Sequence, residues 1–124
     1  MNPLKSGYFY IFVTIAFTVM GQLLIKAGMS RVTASFNQTP RLIPLITAGL
    51  LQPIVLTGLL CAFIAAVAWF PAISRLPISV AYPFMALPIV LVLLLTPIWF
   101  GERVTMNQWL GVCIVSFGLW ITAR

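Results

Sequence analysis

Residues 14 to 26 place polar side chains at every fourth position, Thr14, Thr18, Gln22 and Lys26, within an otherwise apolar run in which Gly21 precedes Gln22. On a helix that spacing makes one gently drifting stripe. A charge at mid-membrane costs about 2.5–3.5 kcal/mol on insertion scales, so such a stripe faces protein or a water-filled cavity rather than lipid. Two readings are open. The stripe hydrogen-bonds a neighbouring helix while Lys26 snorkels to the nearby surface, or it lines a path for a polar solute with Thr18, Gln22 and Lys26 as contacts. Gly21 beside it permits the close approach of another backbone.

Further along the chain stands its single acid, Glu102, next to Arg103. Lys26, Arg31, Arg41 and Arg103 all belong at the same end of the helices as Glu102, which leaves a surplus of positive charge at one mouth. A Lys26–Glu102 ion pair would account for two of these groups structurally. Alternatively the cluster docks a phosphate, whose oxygens suit Arg forks and Lys point charges. Trp69 and Tyr82 fall at the other end, and Tyr82 precedes Pro83. Both suit an interfacial aromatic belt, or the walls of a pocket for a sugar ring or an acyl chain. Neither a nucleophile–base pair nor paired carboxylates can be drawn, so no enzyme is expected. Cys61 and Cys113 lie in apolar runs, and the chain has no His. They read as small hydrophobes, with no disulfide framework, metal site or cofactor expected.

The elements that must hold these residues follow from composition. Of 124 residues, 62% are hydrophobic and 6% charged, and the mean hydropathy is +1.13. A soluble domain carries about 25% charged residues, so this chain is an integral membrane protein. Long apolar runs without the alternation of a barrel make it all-α. The net charge of +6 comes from bases scattered singly at the ends of those runs. That is how membrane flanks look, and it points to an anionic substrate or lipid headgroup, with no nucleic acid as partner.

Four transmembrane helices are expected in a single domain over residues 1–124, at about 8–29, 53–73, 80–100 and 106–123, each near the ~20 residues a bilayer requires. The first run is too long for the apolar part of a signal peptide and is expected to be retained. The connection over residues 30–52 is polar and then apolar; its apolar part, 42–51, is too short to cross and reads as an interfacial helix or an early extension of the second span. Pro77, Pro83, Pro88 and Pro97 mark the third span as kinked. Thr105 followed by Gln108 is a capping-box pattern opening the fourth. Lys5, Arg75 and Arg124 on one side balance Arg31, Arg41 and Arg103 on the other, which leaves orientation undecided and dual insertion open. In the fourth span Gly111 and Gly118 share a face with small neighbours, Ser116 and Ala123 beside them. Four helices hardly enclose a transport path alone, so a dimer through the Gly111/Gly118 face is expected.

"GQLLIKAG", a Trp in the second span, "LPISVAYPFMALPIVLV" and "GERVTMNQWLGVCIVSFGLWI" together resemble the drug/metabolite transporter superfamily over nearly the whole chain. Within it the chain is similar to small multidrug resistance proteins and to the four-helix subunits of the aminoarabinose-phosphoundecaprenol flippase. The multidrug branch carries a membrane glutamate that exchanges protons for cationic drugs, and by that resemblance its position here is Thr18. The missing carboxylate and the basic mouth favour the lipid branch. The resemblance implies a flippase, or flippase subunit, for a polyprenyl-phosphate-linked sugar or similar anionic lipid in the bacterial inner membrane. It also implies pairing with a second copy or with a related four-helix subunit. A multidrug exporter, or a structural subunit of a membrane complex, is the alternative.

Overall fold

The computed structural model describes residues 2–122; Ala123 and Arg124, invoked above for the packing seam and the charge balance, lie outside the described residues. Six helical segments follow in order: α1 (Pro3–Ala34), α2 (Leu42–Leu51), α3 (Pro53–Arg75), α4 (Ile78–Phe84), α5 (Leu87–Phe100) and α6 (Met106–Thr122). The chain is an all-α, multi-pass membrane protein. Three stretches are long and apolar enough to cross a bilayer: Leu4–Ala34, Pro53–Arg75 and the α4–α5 rod Ile78–Phe100. Helix α6, at 17 residues, falls on the fourth expected span, 106–123, up to the last described residue.

Each departure from a uniform set of spans has a local cause. Helix α1 is 32 residues long, because nothing in it stops a helix. Pro3 stands at its first position, where a missing N–H costs nothing. Near its other end, the Ser30 and Thr33 hydroxyls fold back onto carbonyls at 2.9–3.1 Å instead of competing with the backbone. Between α4 and α5 the chain tightens into a turn, with Met85 N–H bonding Tyr82 O at 2.9 Å and Ala86 N–H bonding Pro83 O at 3.1 Å. Pro88 has no N–H to give to the carbonyl four residues back, and its ring crowds that carbonyl, so the helix breaks just before it. Gly101 caps α5 with φ 64°, a left-handed conformation that costs glycine little. The capping box opening α6 is formed: Thr105 N–H donates to Gln108 Oε1 at 2.8 Å, and Gln108 N–H to Thr105 Oγ1 at 3.4 Å.

The scaffold is the α1–α3 pair. In lipid, helices associate through close packing of small residues rather than through hydrophobic burial, and this seam is built that way. A Cβ added at Gly21 would lie 2.9 Å from Gly58 O, and one at Gly58 would lie 2.9 Å from Gly21 O, so the two backbones meet there. One heptad on, Gly28 makes room for Val55. Toward the opposite end Ile11, Ile15, Val19 and Leu23 of α1 pack with Ala72 and Leu76 from α3 and its cap, and with Ala81 of α4. By contrast α6 has no buried residue, and a Cβ at Gly111 or Gly118 would meet nothing within 4 Å.

Candidate functional site

Between α1, α3 and α4 lies a cleft of about 480 Å³. One wall is the α1 stripe of Thr14, Thr18 and Gln22; the facing wall is Ala62, Ala65 and Ala66 of α3; Trp69, Phe70, Tyr82 and Met85 close one end. The alanines keep α3 low along this face, and that leaves the space open. Thr18 stands at the middle of α1, so the polar wall is deep within the span.

The three polar residues are not equivalent. Thr14 is buried, and its hydroxyl donates to Tyr10 O at 2.8 Å. Its proton is spent inside its own helix, and it contributes shape to the cleft. Thr18 is half-buried and Gln22 is exposed; neither side chain has a hydrogen-bond partner among the described residues. A hydroxyl and an amide are thus left in an apolar setting with donors and acceptors to offer. Trp69 and Tyr82 meet edge to face, with ring centroids 5.7 Å apart. This T-shaped pair presents ring surface and a phenolic hydroxyl to the same space.

Lys26 takes a different course. Four residues turn a helix by about 400°, so the stripe rotates about 40° at each step. By Lys26 it has left the cleft and faces α5. There the ammonium pairs with the Glu102 carboxylate and lies 5.6 Å from the centre of the Phe100 ring. Both ionic side chains keep about half their exposure, 44% and 46%. The structure adopts the ion-pair option for Lys26 and Glu102, and Lys26 is not among the residues that line the cleft. Arg103, beside Glu102, is exposed. Of the residues singled out from sequence, Thr18, Gln22, Trp69 and Tyr82 share one cleft. Lys26, Glu102 and Arg103 form a separate charged rim, and Gly111 and Gly118 lie apart on α6.

Sequence reasoning missed the wall opposite the stripe. Ala62, Ala65, Ala66 and Trp69 recur at spacings of three and four, the signature of one helix face. In a chain so rich in alanine and leucine that signal does not stand out.

The geometry is that of a membrane protein with an open, mostly apolar cleft that carries a few polar side chains and no acid, and comparison with known proteins agrees. Residues 10–124 match the model of the EamA-like transporter family. The chain belongs to that family. Among curated proteins, a probable 4-amino-4-deoxy-L-arabinose-phosphoundecaprenol flippase subunit ArnE from Yersinia pestis (strain Pestoides F) is 41% identical over 51 residues, covering 41% of this chain and 45% of that protein. The match therefore spans less than half the length of this relative. A probable flippase subunit ArnF of the same name from Proteus mirabilis (strain HI4320) is 24% identical over 125 residues, covering 98% of this chain and 94% of that protein. No solved structure matches the chain. As a member of that family it is a membrane protein.

Proposed function

We propose that this EamA-type transporter is a lipid flippase, or one subunit of a flippase, for a polyprenyl-phosphate-linked sugar or similar anionic lipid in the bacterial inner membrane. The observation that carries this reading is the cleft itself: two unspent polar side chains, Thr18 and Gln22, face an aromatic pair, and no carboxylate lines the space. A hydroxyl and an amide donate to phosphate and sugar oxygens without repelling an anion. Trp69 and Tyr82 offer the flat apolar surface on which a sugar ring stacks. The lipid tail remains in the bilayer while the headgroup moves along the α1 stripe, and the rim of Lys26, Arg31, Arg41 and Arg103 draws the phosphate to the entrance. The names of the ArnE and ArnF relatives, which specify a phosphoundecaprenol-linked amino sugar, support the same class of substrate. Glu102 would then serve a headgroup ammonium.

In this reading α6 is a fourth span and the functional unit is a dimer, of two copies or with a related four-helix subunit. Support comes from α6 having no buried residue and from the open space around Gly111 and Gly118. A proton-coupled exporter of cations is the weaker reading, because the chain's one acid is held by Lys26 outside the cleft. Mass spectrometry of lipids retained by the purified protein tests the proposal. A polyprenyl phosphate species enriched over the membrane average is expected, lost on Gln22→Ala. Retention of bulk phospholipid alone, unchanged by Gln22→Ala, would count against it.

A further inference from the structure

Arg75 belongs neither to the cleft nor to the charged rim around Lys26. It is the last residue of α3, at the end where a Cβ added at Gly7 would lie 3.4 Å from Arg75 Cβ, so most of α1 separates it from Lys26. An arginine in the last turn of a span ordinarily extends its head toward water. Here the guanidinium lies back on the protein instead. Its central carbon is 4.8 Å from the centre of the Tyr10 ring, and Nη1 donates to Pro71 O at 3.4 Å. A guanidinium has five N–H donors, so most of its edge is left to offer. The chain's single acidic side chain, Glu102, is held by Lys26 at the opposite end of the helices, and no carboxylate side chain of this protein neutralises Arg75.

Tyr10 and Pro71, the two residues that hold the guanidinium, are also walls of a groove of about 380 Å³ between α1 and α3. Phe9, Phe63, Val67 and Ala68 are among its other walls, and apart from the Tyr10 hydroxyl every side chain lining it is apolar. This is a different space from the cleft. Phe9 and Thr18, like Val13 and Gln22, stand nine positions apart and so about 180° apart on α1, with the α1–α3 seam between the two spaces. Length, shape and charge together select an occupant. From Phe63 to Arg75 the helix rises about 18 Å, close to half of a ~30 Å hydrocarbon core, so the groove runs from mid-bilayer to the headgroup level of one leaflet. Its outer walls, Phe9, Phe63 and Val67, are exposed and bulky. A second helix seats on small residues, whereas a flexible hydrocarbon chain fits between large ones. Over the mouth lies a planar fork whose geometry matches two phosphate oxygens, and basic pockets between membrane helices take anionic headgroups.

We propose that the α1–α3 groove is a binding site for an anionic phospholipid, with one acyl chain lying along Phe63, Val67 and Ala68 and the phosphate on the free edge of Arg75. Tyr10 holds the guanidinium over the groove, and the exposed Lys5 adds positive charge at the same level. The bound lipid straps the outer side of the α1–α3 seam, opposite the cleft. The inference is independent of which solute the cleft carries.

The test is native mass spectrometry of the full chain, released from detergent after incubation with dioleoyl-phosphatidylglycerol or dioleoyl-phosphatidylcholine, which share their acyl chains and differ in headgroup charge. Phosphatidylglycerol is expected to be retained several-fold more than phosphatidylcholine, at one lipid per chain. Arg75→Gln should abolish that preference. Val67→Trp, which fills the groove from an exposed wall, should lower retention several-fold with Arg75 still in place. Gln22→Ala, in the cleft, should leave retention unchanged. Equal retention of the two lipids, or the same preference in Arg75→Gln, would overturn the proposal and leave Arg75 an interfacial anchor. Unchanged retention in Val67→Trp would overturn it by placing the lipid elsewhere on the surface, and loss in Gln22→Ala by placing it in the cleft. A dimer mass that disappears in Val67→Trp would overturn it by showing a second copy in the groove.

Discussion

Two pairs of glycines, each seven residues apart, meet opposite fates in this chain. Gly21 and Gly28 of α1 are pressed against α3, where an added Cβ would fall 2.9 Å from Gly58 O and 2.5 Å from Val55 Cγ2. Gly111 and Gly118 of α6 have nothing within 4 Å of that position. Both pairs satisfy the same rule, that small residues on one face let helices approach in lipid. The rule gives a face its capacity for contact but does not say which helix uses it. The α1 pair is consumed within the chain, and the space over the α6 pair is open, the place where the proposed dimer would form.

The contrast is broken most severely at Gly58. Gly58→Leu drives a side chain into the α1 backbone, where Ile25 N is already 2.9 Å from an added Cβ. Overpacking costs about 1–3 kcal/mol even where neighbours can shift, and sometimes more; here backbone cannot, so loss of folded protein on size-exclusion chromatography is expected. Gly118→Leu should leave the protomer folded, with a stability change within about 0.5 kcal/mol as for an exposed site, yet abolish cross-linked dimer. Normal dimer in Gly118→Leu would separate α6 from the assembly face. A smaller effect is expected at the start of α6, where Thr105→Ala removes the reciprocal cap with Gln108 and costs about 1 kcal/mol in denaturant unfolding. Smallest is the rim: with Lys26 and Glu102 44% and 46% exposed, a double-mutant cycle on Lys26→Gln and Glu102→Gln should return a coupling of about 0.2–1 kcal/mol. A coupling several times larger would make the pair a buried structural tie rather than a solvated rim.

How much of this could be read from the chain varies with the range of the interaction. The Thr105–Gln108 cap depends on residues three apart and is present in the structure as the pattern predicts. Thr18, Gln22, Trp69 and Tyr82 each stand out in the sequence as candidate contacts, but their meeting in one cleft does not, because it depends on how α1, α3 and α4 pack. For Lys26 the sequence offers both the Glu102 pair and the lined path, and it does not choose between them. A stripe of period four drifts off its own face, and only the position of α5, with Glu102 just past its end, decides where the last member points. The break before Pro88 was hard to place for a related reason. Four prolines, Pro77, Pro83, Pro88 and Pro97, could each have interrupted the rod, yet Pro83 and Pro97 are carried inside helices.

The account rests on the cleft rather than the rim being the solute's path, and Gln22 is the residue that separates the two. In proteoliposomes carrying a fluorescent polyprenyl-phosphate sugar, Gln22→Leu should slow translocation at least about tenfold, the size expected for a lost hydrogen bond of about 1.4 kcal/mol or more to the moving headgroup. Assembly and protein yield should be unchanged. Translocation by Gln22→Leu at the rate of the unaltered protein would contradict the central claim.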